Sequence, residues 1–276
     1  MTAVTQGWIE NRASSGWRRV DLNELWEYRE VAVFLALRDL QVRYKQAAFG
    51  AAWALVQPLA GVAVFTIVFR QFAGMPSDGV AYPLFAFAGL SLWNYVAGAV
   101  TKSTQSLVGN SPLVTKVYFP RLLAPIATVL PGLADLGVSL GVLILLFVPY
   151  GVRPGLSLLT APVWILAAAV VSLGIGVWLA ALNVRYRDVN HALNLFVQLW
   201  LFISPIAYPL SVVDPTWRPV FALNPIVGIV EGWRWALLGT PWPGSSLAIS
   251  LASGAAVLVL GIAYFQRFER QFADII

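Results

Sequence analysis

The chain has 276 residues, 59% of them hydrophobic and only 11% charged, and its mean hydropathy is +0.73. That composition excludes an ordinary soluble domain and marks an integral membrane protein. The absence of cysteine excludes disulfides, thiol chemistry and thiolate-ligated metals, a single histidine speaks against a histidine metal or acid–base centre, and the net charge of +5 reads as membrane topology rather than a nucleic-acid footprint.

The first predicted element lies in VDLNELWEYREV (20–31), where Asp21 stands as an N-cap three residues before Glu24, a capping-box pattern that opens a helix. A second helix is predicted over 31–48. Val33, Leu37, Leu40, Tyr44 and Ala48 recur at steps of three and four, while Arg38, Asp39, Gln41, Arg43, Lys45 and Gln46 occupy the remaining faces. Such a helix lies along the inner membrane surface until Gly50 breaks it and turns the chain into the bilayer. A plain amphipathic anchor is the alternative reading of the same pattern.

Membrane spans follow from the gaps between charges, because a charge at the bilayer centre costs roughly 2.5 to 3.5 kcal/mol. The uncharged stretches are 46–69, 79–101, 122–134 with 136–152, 154–184, 189–213 and 235–266, each able to supply the roughly 20 apolar residues of a crossing. Six spans are predicted. Pro125, Pro131 and Gly132 leave room for a bend or an interfacial lead-in in the third, and GTPWPG (239–244) moves the start of the sixth to about Ser245.

Two connections are too patterned to be slack linkers. KSTQSLVGNSPLVTKVYFPR (102–121), between spans two and three, is too polar at its start to be membrane; GNSP supplies a turn and LVTKVYFP a short amphipathic element ending at Pro120. Leu113, Lys116 and Tyr118 are its candidates for contact with a force-delivering partner, against the alternative of a simple loop. Residues 215–244 have only twelve uncharged positions between Arg218 and Glu231, too few to cross, and suit two short re-entrant or interfacial helices broken at Asn224–Pro225. Glu231 and Arg234, three apart, read as a local ion pair beside headgroup-level tryptophans.

The cations orient the chain. Arg12, Arg18, Arg19, Arg29, Arg38, Arg43 and Lys45 precede span one; Lys102, Lys116 and Arg121 lie between spans two and three; Arg185 and Arg187 follow span four; Arg267 and Arg270 follow span six. All fall on one side of a six-span arrangement, whereas Arg153, Arg218 and Arg234 fall on the other with Arg70 at its boundary, so both termini are expected in the cytoplasm. The first 30 residues contain no apolar stretch of the kind a cleaved signal carries.

No GxxxxGK[ST] loop, metal-ligand spacing, Ser/His/Asp set or paired carboxylates appears, and no catalytic residue is assigned. Only Asp135 lies well inside a span, to be weighed as pairing across a dimer with a polar group such as Ser139 or Gln198 or as a channel-lining group, so ion-coupled transport lacks its usual relays. If the chain moves a substrate, another subunit powers the movement.

RDLQVRYKQAAFGAAWALVQPL (38–59), FPRLLAP (119–125), LNVRYRDVNH (182–191), SPIAYP (204–209) and LNPIVGIVEGWRWALLG (223–239), in that order, resemble the permease subunit of ABC exporters for polysaccharides, the family of O-antigen and teichoic acid exporters. The resemblance runs from about residue 20 to the C-terminus. It implies an all-α integral membrane fold: a cytoplasmic tail and interface helix over 1–49, then a six-span domain over 50–276 with a coupling helix in 102–121 and an external gate in 215–244. It implies a homodimer docked on two copies of a separate ATPase subunit, which holds ATP and Mg. It also implies a bacterial inner membrane, and a glycan on a polyprenyl diphosphate as substrate. On that footing Arg38, Arg43, Lys45, Arg185 and Arg187 are the candidates for the lipid diphosphate, since Arg binds phosphate oxygens in bidentate fashion. General anchoring to anionic lipid is the plainer role for the same cations. Trp53, Tyr95, Phe196, Trp200 and Tyr208 are candidates for shallow stacking against a sliding sugar chain, with lipid-facing packing as their alternative. A related permease for a drug or haem, and a membrane enzyme acting on lipid-linked sugars, are the rival readings.

Overall fold

The computed structural model describes residues 20–45 and 52–275, within which the side chains of Arg43, Tyr44, residues 52–55, Gln57, Ala273 and Asp274 are excepted. The positions of Gly50, Arg12, Arg18 and Arg19 lie outside the described residues, as do the side chains of Arg43 and Trp53. Two helices come first, α1 (Leu22–Glu27) and α2 (Arg29–Lys45). The Asp21 carboxylate accepts from the backbone N–H groups of Asn23 and Glu24, as the capping pattern predicts. Then come α3 (Ala52–Phe65), which runs into a π-helical stretch Thr66–Phe72, and α4 (Tyr82–Gly109), α5 (Ser111–Lys116) and α6 (Leu123–Tyr150). A 3₁₀ turn, Leu156–Thr160, leads into α7 (Ala161–Arg185), followed by α8 (Val189–Ile203), α9 (Arg218–Ala222), α10 (Pro225–Leu238), α11 (Ser245–Phe268) and α12 (Phe272–Ile275). Among the described residues there is no strand.

Four helical stretches are long and apolar enough to cross a membrane: Tyr82–Gly109, Leu123–Tyr150, Leu156–Arg185 and Ser245–Gln271. Pro58–Phe72 and Val189–Ile203 are shorter apolar helices. The uncharged gap 189–213 is therefore not one helix, because Pro205 and Pro209 end α8 at Ile203 and send 204–209 into turns.

One further boundary differs from expectation. α4 continues through the polar stretch 102–109, where Thr104 Oγ1 donates to the Val100 carbonyl and Ser106 Oγ to the Ser103 carbonyl, so buried hydroxyls are satisfied inside the helix. α6 is continuous across Pro125 and Pro131. Pro125 sits in the first turn, where its missing N–H has no intrahelical acceptor to lose, and Thr128 Oγ1 donates to its carbonyl. The predicted start of the last long helix at Ser245 matches α11.

Close helix crossings rest on glycine. A Cβ at Gly174 of α7 would lie 2.7 Å from Leu258 Cα of α11, and one at Gly261 of α11 would run into the Gly174 carbonyl. A Cβ at Gly176 would collide with Ser103 of α4. Missing side chains thus let α7 approach both α4 and α11 at backbone distance, the usual means of packing helices in lipid. Two apolar clusters result. One gathers Ala32 and Leu35 of α2, Leu107, Val114, Phe119, Leu123, Val184, Phe265 and Phe272, and so brings together α2, the ends of α4, α7 and α11, and α5. The other surrounds α4 and α10 at the opposite end.

Candidate functional site

The end that carries α5 also holds most of the predicted cations. Arg38 Nη2 donates to Asp39 Oδ1 at 2.9 Å and to Asn110 Oδ1 at 2.8 Å, while Asn110 Nδ2 donates to the Ser106 carbonyl. This guanidinium therefore ties α2 to the junction between α4 and α5. The buried face of α2 is Ala32, Leu35 and Ala36, packed on α6, whereas the predicted apolar row keeps Val33 and Leu37 exposed. Lys45 is exposed.

α5 is pinned from a second side. The Tyr118 hydroxyl donates to Glu24 Oε1 of α1 at 2.9 Å, and the Tyr118 ring meets Tyr28 edge-on at 6.2 Å. Glu24 thus reaches the connection instead of closing the capping box. Val114 is buried, Leu113 is half-buried, and Lys116 and Tyr118 face outward. Arg121 donates to the Glu269 carbonyl beyond α11. Arg185 and Arg187 are exposed at the end of α7, and the Arg185 guanidinium lies 5.3 Å from the Tyr186 ring and 5.5 Å from that of Phe268. Arg38 and Arg185 share one end of the bundle, but Arg38 is engaged with the α4–α5 junction and Arg185 with Phe268.

The candidate aromatics separate into two groups. Tyr95 and Trp200 are only 4% and 7% exposed: Tyr95 packs against Gly132 of α6, and Trp200 Nε1 donates to Asn224 Oδ1 while its ring meets Trp93 at 5.1 Å. Phe196 is 47% exposed and leans on Trp200, with ring centroids 5.4 Å apart. Tyr208 is half-buried and donates to the Phe202 carbonyl. Ser139 Oγ donates to the main-chain carbonyl of Asp135, one turn earlier, and not to its carboxylate.

The opposite end contains the predicted Glu231–Arg234 pair, buried inside the bundle. The break at Asn224–Pro225 is as expected: Asn224 caps α10, its Oδ1 accepting from the Ile226 N–H. α10 is largely buried, however. Arg234 and Trp233 are fully buried and Glu231 is 6% exposed, because α4, α7 and α11 surround the helix. Trp233 Nε1 donates to the Ala88 carbonyl inside α4, a partner that a headgroup-level indole would not need.

Arg234 Nη1 donates to the Pro205 carbonyl and Nη2 to the Ile206 carbonyl, both at 2.6 Å; Nη1 also donates to Glu231 Oε1 at 3.2 Å. Its guanidinium carbon lies 3.6 Å from the centroid of the Phe85 ring. The Tyr82 hydroxyl donates to the next carbonyl, Ala207, at 2.6 Å. Three successive carbonyls of the turn after α8 are thus held by side chains from α10 and α4. The glycines show how the charge fits: a Cβ at Gly89 would collide with Arg234 Nη2, and one at Gly232 would enter the Trp164 ring. The legible signal was an Arg between two tryptophans with Gly two residues before it.

Outside these helices, Asp214 accepts from the Thr216 N–H at 2.8 Å, which, together with the Thr216 hydroxyl and Arg218, holds its carboxyl below the usual range. Among the described residues there is no group of three or more acidic or histidine side chains able to hold a metal.

The ABC-2 type transporter family model matches residues 31–238. The O-antigen export system permease protein RfbA of Myxococcus xanthus is 30% identical over 260 residues, covering 92% of this chain and 98% of that one. RfbA of Klebsiella pneumoniae is 25% identical, covering 90% and 95%, and the polysialic acid transport protein KpsM of Escherichia coli is 24% identical, covering 88% and 96%. With that match spanning α2 through α10 and relatives aligned along nearly their full length, the chain belongs to the ABC-2 type transporter membrane family.

Proposed function

We propose that the chain is the transmembrane permease subunit of an ATP-driven ABC exporter that moves a polysaccharide, O-antigen-like and carried on a polyprenyl diphosphate, across a bacterial cytoplasmic membrane. The observation that carries this reading is the near full-length match to permeases named for O-antigen export and for polysialic acid transport. Two copies of the chain pair with two copies of a nucleotide-binding subunit, which holds ATP and Mg and performs the hydrolysis; this chain transports and is not itself an enzyme. The cytoplasmic N-terminal region 1–49 precedes the transmembrane domain 50–276. In that domain α3 with its π-helical continuation, and α8, complete six crossings with the four long helices. Both termini face the cytoplasm, as the gathering of α2 and the C-terminal end of α11 at the cation-rich end supports.

Within this reading the α5 connection receives the push of the ATPase through Lys116 and the exposed face of Tyr118, and passes it to α1 through Glu24 and to α2 through Asn110 and Arg38. α9 and α10 form the re-entrant outer gate. The diphosphate is met by Arg185 and Arg187 with Arg43 and Lys45, while Arg38 has a structural tie to keep. Phe196 and Tyr208 are the described aromatics placed to meet a passing glycan.

Reconstitution of the chain with its ATPase tests the reading. ATP hydrolysis is expected to rise on adding a lipid-diphosphate-linked glycan, and to lose that rise in Arg185→Ala with assembly unchanged. Stimulation by a small hydrophobic drug but not by the glycan would transfer the chain to the drug-permease class, and an undiminished rise with the glycan in Arg185→Ala would remove the diphosphate assignment.

A further inference from the structure

The turn at 204–207 is held more firmly than a connecting segment needs. Its carbonyls at 205, 206 and 207 accept from Arg234 and Tyr82, its Ser204 Oγ accepts from Asn224 Nδ2 at 2.9 Å, and that same Asn224 accepts from Trp200 of α8 and caps α10. α10 is in turn fixed to α11, where Ser250 Oγ donates to the Ala222 carbonyl and accepts from the Gly228 N–H. The outer end of α8 is therefore fused to the rigid core. A buried guanidinium is costly to desolvate; this one gives its two shortest hydrogen bonds to the turn, beside further contacts with Glu231 and with the Phe85 carbonyl and ring, so the turn is tied to both α10 and α4.

The rest of α8 is held lightly. Of its fifteen residues only Leu193 and Trp200 are buried, and Leu195, Phe196, Leu199, Phe202 and Ile203 are each about half exposed or more. At its inner end Gln105 Nε2 donates to Asn190 Oδ1 at 2.7 Å, a solvent-exposed bond. An exposed bond of this kind contributes little and opens readily. Immediately before that end come Arg185, Tyr186 and Arg187, all exposed.

We propose that α8 is a lever hinged at its outer end, with Arg234 as the positioning residue that fixes the hinge at 204–207, and that its inner end swings to open a path beside Arg185 and Arg187. The inference rests on the transport reading above and adds the moving element and its pivot. A helix anchored at one end and lightly packed along its length rotates about the anchor, so displacement grows from Ile203 toward Val189. Trp200, one turn before the anchor, travels least, in keeping with its buried indole bond to Asn224. Removing the anchor lets both ends move, and the force is no longer converted into a directed swing.

The chain contains no cysteine, so single cysteines report on each end. In the complex with the ATPase, an environment-sensitive dye is placed at Ala192→Cys near the inner end or at Ile203→Cys at the outer end, both exposed positions. Addition of ATP is expected to shift the dye at 192 several times more than the dye at 203. In Arg234→Gln, and in Gly89→Ala, whose new methyl displaces the guanidinium, that gradient disappears and the 203 dye responds as strongly as the 192 dye. Polymer delivered to the cell surface per ATP hydrolysed falls by about tenfold, the scale of one lost charge-assisted hydrogen bond. Tyr82→Phe removes a single hydroxyl without disturbing packing and gives an intermediate gradient, so the test stands even if the Arg234 variant fails to assemble. Equal responses at the two ends of the wild-type lever, or an unchanged gradient in Gly89→Ala and Tyr82→Phe, overturn the hinge. Failure of wild-type ATPase activity or export is scored separately and counts against the transport reading instead.

Discussion

At the level of single residues, the molecule's most demanding position is Gly232. A methyl there would enter the Trp164 ring, which cannot retreat because it also meets Trp242 at 6.1 Å, itself 4.7 Å from Trp235. Overpacking of this kind costs about 1 to 3 kcal/mol, and here the intruded ring belongs to a shared aromatic stack. Gly232→Ala is expected to lower the thermal unfolding midpoint in detergent, with Trp164→Leu restoring part of the loss by emptying the ring's place; an unshifted midpoint would contradict the packing. The same crowding explains why Arg234 was hard to place from sequence. Charge and spacing disclose Glu231 and Arg234 as a pair, and that pair exists at 3.2 Å. Their setting depends on carbonyls at 205 and 206, some thirty positions away, whose availability arises only when the turn after α8 folds back onto α10. No local pattern announces such an acceptor.

Elements were more legible than contacts, for a reason that runs through several of them. At GTPWPG, Asn224–Pro225 and GNSP, expectation and structure agree: α11 starts at Ser245, α10 at Pro225, and the chain turns at Asn110. Where tertiary contacts satisfy a polar residue, they part. Residues 102–109 look like a loop because Ser103, Thr104 and Ser106 are polar, yet the Thr104 and Ser106 hydroxyls donate to carbonyls of their own helix, Ser103 packs against Gly176, and α4 runs on. On α2 the row with Val33 and Leu37 stays exposed, while small Ala32 and Ala36 let the helix pack closely on α6. The tie from α2 to α4 is measurable. A double-mutant cycle on Arg38→Ala and Asn110→Ala, read by thermal midpoint, is expected to give a coupling of about 0.5 to 1.5 kcal/mol, since one partner is charged and the site is part-exposed. Zero coupling would return Arg38 to the pool of phosphate-binding candidates. The α7–α11 crossing gives a second element-level expectation: Gly174→Ala places its Cβ 2.7 Å from the backbone of Leu258, which has no side-chain end to yield, so this variant loses more stability than Gly137→Ala, where the space is open.

For the whole molecule, the arrangement of charge predicts orientation. Asn110, Arg121, Arg185 and Arg267 stand at helix ends that meet in the apolar cluster of Ala32, Phe119, Val184 and Phe265, whereas 204–217 lies beyond the other end of the bundle, where Arg234 and Tyr82 receive it. Lys and Arg are retained on the cytoplasmic side during insertion, so the first end is predicted to face the cytoplasm. Cysteine-free sequence makes the check direct. Thr115→Cys on α5 and Thr216→Cys in the turn before α9 are both exposed. In sealed spheroplasts a membrane-impermeant maleimide is expected to label position 216 and spare 115, and inside-out vesicles are expected to reverse the result. Addition of the ATPase to those vesicles should then protect position 115 while leaving Arg267→Cys, on the neighbouring helix end, comparatively reactive, because docking on α5 covers its outward face first. Labelling of both positions from one side would break the six-crossing arrangement at α8, the shortest of the three apolar helices that separate them. Protection at 267 alone would move the docking surface from α5 to the end of α11.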